Sequence, residues 1–82
     1  MRISVEISYY PLQETYIPPI IDFINRLNAH KNINVKTSGI STHVFGEYSD
    51  VMSILTAEIE KSFEVPHSIF VLKILNSDRS DV

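Results

Sequence analysis

The sequence contains no cysteine, and that absence removes disulfide frameworks, thiolate zinc sites and cysteine redox pairs. A reducing, cytoplasmic location is the matching expectation. Basic residues are scarce: seven Lys plus Arg face ten Asp plus Glu, for a formal charge of -3. Domains that grip phosphate backbones carry a basic stripe, so nucleic acid is not expected as a partner. Long apolar runs are missing as well. The opening "MRISVEIS" alternates, and no segment approaches the roughly 20 apolar residues that span a bilayer. Neither a signal peptide nor membrane insertion is expected. Glycine occurs only twice and 44% of residues are hydrophobic, a composition that argues against disorder.

What is present amounts to one small domain, residues 1–76, followed by a polar C-terminal tail over 77–82, "SDRSDV". A core this small folds with little margin, which makes subunit association an expectation. Ile3, Val5 and Ile7 alternate with Ser4, Glu6 and Ser8, as a half-buried strand requires. "YYPLQET" reads as a loop, because Pro11 cannot continue a ladder. Ile17, Ile20, Ile24 and Leu27, with Phe23 beside them, form a helical stripe whose prolines, Pro18 and Pro19, belong in the first turn. His30 and Lys31 fall at its carboxyl end, where positive charge suits the dipole. "INVKTSG" and "THVFGEY" read as a hairpin. Ser49 is the expected cap of a second helix, with Asp50 in its first turn and Val51, Leu55, Ile59 and Phe63 repeating along it. Pro66 ends that helix, and "HSIFVLKIL" is the last strand.

The order strand, helix, strand, strand, helix, strand, with right-handed crossovers, predicts an α+β fold. It is the ferredoxin-like βαββαβ unit, a four-stranded antiparallel sheet with two helices on one face. The first and third strands are then central neighbours. Ile3, Val5, Ile7, Val35, Val44, Phe70, Leu72, Ile74 and Gly46 should face the helices. Ser4, Glu6, Ser8, Lys36, Ser38, His43, Phe45, Glu47, Ile69, Val71 and Lys73 should face away. Phe45, Ile69 and Val71 would leave an apolar patch beside two carboxylates, which a ligand, a second subunit or both should cover. A slip of one residue in the third strand would instead bury Phe45 under the helices.

Several functions share this topology, so the site must choose among them. RNA-binding domains of this shape carry stacking aromatics on the first and third strands, whereas here the first offers Ser4, Glu6 and Ser8. "SYYPLQET" has neither the arginine nor the glycine of an acylphosphatase-like anion loop. Metal chaperones of this fold need cysteine pairs. His30, His43 and His67 are isolated and lack the pairing of zinc ligands. Glu6 and Glu47 supply paired carboxylates but no activated nucleophile accompanies them. A small-molecule-binding module and an assembly domain remain.

"EISYYPLQETYIPPIIDFI", "ISTHVFGEYSDVM" and "FVLKILNSDRSD" together resemble the thiamine-binding proteins related to YkoF. The most specific pieces are Ser8, Tyr10, Pro11 and Leu12 after the first strand, and Ile40, Ser41, Thr42 and Gly46 around the third. The resemblance implies a ferredoxin-like, non-enzymatic protein that binds thiamine or its hydroxymethylpyrimidine portion on the sheet side away from the helices. It also implies a homodimer or homotetramer formed through the sheets, and it needs no cofactor beyond the bound ligand. Ser8, Tyr10, Ser41 and Thr42 are the matching site positions. The face argument adds Glu6, Phe45 and Glu47. A thiazolium suits an aromatic face or a carboxylate, and an aminopyrimidine suits a glutamate and hydroxyls.

Overall fold

The computed structural model describes every residue from Met1 to Val82. Its elements are β1 (Arg2–Pro11), α1 (Ile17–Asn28), β2 (Asn34–Thr37), β3 (Thr42–Glu47), α2 (Tyr48–Ser62) and β4 (Ser68–Leu75). The strands form one antiparallel sheet in the order β2-β3-β1-β4. Both helices pack on one face of it, so the fold is ferredoxin-like.

Register decides which side chains meet the helices. Val5 pairs with Val44, which pairs with Val35, while Ile3 lies opposite Gly46 and Ile7 opposite Thr42. Ile3, Val5, Ile7 and Val44 join Phe23 and Leu27 of α1 and Val51, Ile54 and Leu55 of α2 in one core. Each fully buried aliphatic or aromatic side chain contributes about 1.5–3 kcal/mol. A Cβ built on Gly46 would stand 3.1 Å from Cγ2 of Val51, so the absent side chain is what lets α2 approach β3. Tyr9 stacks on Phe70 at 4.2 Å, with Phe23 and Phe63 edge-on to Phe70, closing the β4 side of the core. Ile74 shares this face but is half-exposed on the edge strand, beyond the cover of the helices.

Four local expectations are corrected. β1 does not stop at Ser8 but runs to Pro11, opposite Ser68 of β4. The amide of Leu12 donates to the His67 carbonyl at 2.8 Å, so alternation turns the donor-less nitrogen of Pro11 the other way. On that side β3 has already ended, its last pair being Ile7 with Thr42, and proline is tolerated on such a local edge. Ser49 does not cap α2. The helix begins two residues earlier than that cap implies, its N-cap is the extended Glu47, and the Tyr48 amide donates to the Met1 carbonyl at 2.8 Å. Ser38 lies beyond β2, and its hydroxyl accepts the amides of Ile40 and Ser41 in the hairpin turn. α1 ends at Asn28, so His30 and Lys31 follow it.

His30 has a partner on the other helix. Its Nε2 donates to Glu58 at 2.7 Å. Arg26 of α1 donates to the other Glu58 oxygen at 2.6 Å, to the Glu58 carbonyl at 2.9 Å and to Ser62 at 2.5 Å, and pairs with Asp22 at 3.0 Å. The side chains of Arg26 and Glu58 keep only 16% and 14% of their surface, so water screens this tie weakly.

The hydrogen bond from His30, then that from Arg26, holds the Glu58 carboxyl below its ordinary value of 4.5. A lowered folded pKa means the stabilisation is fully present above the ordinary value and is lost as pH falls through the lowered one. Glu58→Gln is expected to cost about 1–3 kcal/mol at neutral pH, because Arg26 loses its charged acceptor. Urea midpoints should converge for variant and wild type in acid; parallel curves would refute the assignment.

Candidate functional site

The sheet face away from the helices gathers Ser4, Phe45 and Asn34 in one cross-strand row and Glu6, His43 and Lys36 in the next. Leu75 and Lys73 extend the two rows onto β4. These rows form the walls and floor of a hollow of about 320 Å³ lined by Ser4, Glu6, Phe45 and Leu75, with Lys36, His43 and Lys73 around them. Phe45 points away from the helices, as the alternation predicts, yet only 5% of it is exposed.

The polar C-terminal residues cover that ring. Beyond β4 they fold back across the sheet. The Ser4 hydroxyl donates to the Ser77 carbonyl at 2.6 Å and accepts the Arg79 amide at 2.9 Å. Arg2 donates to Asp78 at 2.7 Å, and the Lys36 ammonium donates to the Ser80 carbonyl. The tail is therefore tied to β1 on one side of Phe45 and to β2 on the other, and Arg79 and Val82 complete the lining of the hollow. The Lys36 ammonium also sits 5.5 Å from the centre of the Phe45 ring.

The seven site residues expected from the sequence do not converge on one place. Glu6 and Phe45 share the hollow; Ser41 lies outside its lining but touches Glu6 and His43, which are in it. Ser8 and Tyr10 lie farther along the same face, opposite Val71 and Ile69. Thr42 turns to the helix side, where with Tyr9, Ile20 and Phe23 it lines a separate hollow of about 110 Å³. The Tyr9 hydroxyl is buried without a hydrogen-bond partner there, and a space of that size beside two hydroxyls accommodates a water molecule. Glu47 stands at the far end of β3, paired with the Met1 ammonium at 3.2 Å, and lines a third hollow with Tyr48 and Ser49. Ser4, Lys36, His43 and Lys73 were legible as open-face residues; Arg79 read from the sequence as surface charge on the tail, with a phosphate contact as the alternative, and Val82 carried no signal.

Ser41, His43 and Glu6 stand together, but not as a nucleophile and its base. The Ser41 hydroxyl is 3.1 Å from Nε2 of His43, and the Glu6 carboxylate is 3.5 Å from that same nitrogen. A hydrolytic triad needs the hydroxyl on one ring nitrogen and the carboxylate on the other. This cluster orients a carboxylate instead, with Lys73 3.6 Å from the second Glu6 oxygen. No group of three or more His, Asp or Glu side chains is arranged to hold a metal ion. No helix is long and apolar enough to cross a membrane.

Residues 2–76 match the model of the YKOF-related family. Protein SP2199 from Streptococcus pneumoniae has a similar structure, with a TM-score of 0.87 at 21% identity over 96% of this chain and 90% of that one. TM0486 from Thermotoga maritima, provisionally assigned to thiamine biosynthesis or salvage, gives 0.83 at 16% identity over 94% and 85%. MJ1052 from Methanocaldococcus jannascii gives 0.80 at 16% identity over 95% and 82%. At these identities the structural likeness carries the fold alone. No curated protein matches.

The ties of the tail make a direct expectation. The hydroxyl and amide of Ser80, with Arg2, hold the Asp78 carboxyl at about 2. Docking is then fully supported above the ordinary value of 3.8 and weakens as pH falls through about 2. Ser4→Ala should abolish exchange protection of the Arg79 amide and shift the Phe45 ring resonances at neutral pH. An unchanged spectrum would show that the tail does not depend on Ser4.

Proposed function

The chain belongs to the YKOF-related family, and from that premise we propose that it binds a thiamine-related pyrimidine in the open-face hollow without converting it. One observation carries the reading: an aromatic ring and an oriented carboxylate, Phe45 and Glu6, meet in a single hollow of about 320 Å³. That volume lies near the lower bound, about 300 Å³, of ordinary ligand sites, and it suits one substituted ring better than a long ligand. The description of the Thermotoga maritima neighbour agrees with this chemistry.

In this reading the pyrimidine lies against the small part of Phe45 that the tail leaves uncovered, and Glu6 accepts a hydrogen bond from its exocyclic amino group. Ser41 and His43 hold the carboxylate in place. Ser8 and Tyr10 form an outer rim along β1. Thr42, facing the helices, supports the strand, and Glu47 serves the N-terminal corner. The shared nitrogen of Ser41 and Glu6 on His43 supports a binding role over hydrolysis.

The other half of the open face supports an accompanying proposal. Tyr10, Ile69 and Val71 are about half exposed, at 52%, 48% and 52%, in adjoining positions on β1 and β4. We propose that a second copy covers this strip, giving a homodimer or homotetramer through the sheets. An assembly module without a ligand is the competing reading that this strip favours.

Calorimetry and thermal unfolding separate the two. Hydroxymethylpyrimidine at 100 times its dissociation constant should stabilise the protein by about 2.7 kcal/mol. Phe45→Ala should weaken binding by about 1 kcal/mol, the low end of the range for aromatic contact with a base, because only a small part of the ring is open to the hollow. Glu6→Ala should weaken it by about 1.5–3 kcal/mol, as for a hydrogen bond to a charged group. A flat thermal response to both hydroxymethylpyrimidine and thiamine, with Val71→Asp reducing the sedimenting mass, would leave assembly alone.

A further inference from the structure

The chain as a whole is acidic, with a formal charge of -3. The hollow inverts that balance. Lys36, Lys73 and Arg79 line it against the single side-chain carboxylate of Glu6. Lys36 donates to a backbone carbonyl and not to an acid. Lys73 meets only Glu6, at 3.6 Å, and its side chain keeps 82% of its surface. The Arg79 guanidinium is exposed and forms no ion pair, although its backbone amide is fixed on Ser4. Other arginines are not left so: Arg2 holds Asp78 and Arg26 holds Asp22 and Glu58. An unpaired guanidinium on an anchored backbone, beside two lysines and over an apolar floor, is equipped to accept an oxyanion.

Phe45 limits what sits on that floor. The Lys36 ammonium already lies 5.5 Å from the ring centre. A second full cation on the same ring would meet Coulomb repulsion in a partly dehydrated space, where charges interact more strongly than in water. A neutral ring bearing an anionic substituent meets no such opposition.

Resting on the function proposed above, we infer that the hollow selects a phosphorylated pyrimidine, its ring in the hollow between Glu6 and the uncovered part of Phe45 and its phosphate held by Arg79 with Lys73 and Lys36. The tail thereby supplies a specificity-determining residue, and Arg79 is a ligand contact rather than surface charge. Glu6 stays with the ring, because a carboxylate repels the phosphate.

Calorimetry on the full chain tests this with three probes: hydroxymethylpyrimidine, its monophosphate and inorganic phosphate. The monophosphate should bind at least tenfold more tightly than the alcohol, and that ratio should shrink with added salt. In Arg79→Ala the ratio should fall toward one, and Arg79→Lys should restore part of it. Circular dichroism checks that each variant is folded. Equal affinity of the wild type for ester and alcohol would overturn the inference while leaving the pyrimidine reading intact. Inorganic phosphate binding as tightly as the ester would reassign the site to free anions. If neither pyrimidine binds, the function proposed above fails and this inference falls with it.

Discussion

The close approach of α2 to β3 at Gly46 is the constraint on which the rest depends. Cγ2 of Val51 occupies the space that a Cβ would need, at 3.1 Å. Sliding β3 by one residue would bring Phe45 or Glu47 to that point, and neither fits against the helix. A slip would also turn Val44 out of the core and expose the hydrophobic set of the strand to water. Gly46 and Val44 therefore lock the register together, one by lacking a side chain and one by burying it. With the register locked, Phe45 has no choice but the outer face.

That outer face then has to manage an aromatic ring without helices, and its two halves do so differently. Over β2, β3 and the near end of β1 the chain uses its own C-terminal residues, which bury Phe45 almost completely. Over β4 and the far end of β1 nothing of the chain lies above Tyr10, Ile69 and Val71, which stay about half exposed. The cover is also chemically unlike the helical layer. Helices bring apolar side chains such as Phe23, Leu27 and Leu55, whereas the tail brings carbonyls, an amide and charged groups that bind Ser4, Arg2 and Lys36. A polar cover over an apolar floor is the composition of a binding site, because both kinds of recognition occur within one hollow.

Much of this was legible in the residues because periodicity and burial coincide. The alternation of Ile3, Val5 and Ile7 and the helical stripe through Phe23 and Leu27 were enough for the order of elements. The direction of Phe45 followed from its neighbour Val44. Where the reading went astray, a tertiary partner overrode a local rule. Pro11 continues its strand because β3 ends short of it, a fact about another segment. Ser49 is displaced as cap because the Met1 carbonyl already satisfies the first helical amide. Thr42 belongs to the helix side because its strand partner is Ile7, so a position matched by resemblance and a position facing the hollow are separate things. The tail was the least legible part. Its residues look solvated by composition, and only the Ser4 hydroxyl and Arg2, more than 70 positions away in sequence, bring it home.

The manner of that attachment bears on how the site works. Each neutral hydrogen bond holding the tail contributes only about 0.5–1.5 kcal/mol net, and the Arg2–Asp78 pair is exposed and screened. A handful of such ties keeps six residues ordered against their conformational entropy with little to spare. The same six residues carry Arg79 to the hollow. Tail order and ligand contact are therefore linked quantities: whatever engages Arg79 favours the docked tail, and by reciprocity a docked tail raises the affinity for whatever engages Arg79. Under the proposed function, the sheet supplies Phe45 and Glu6 in fixed positions, while the marginally held tail supplies the group that discriminates. In that proposal the floor is set by folding alone and selectivity is left to a segment whose stability a small anion tips.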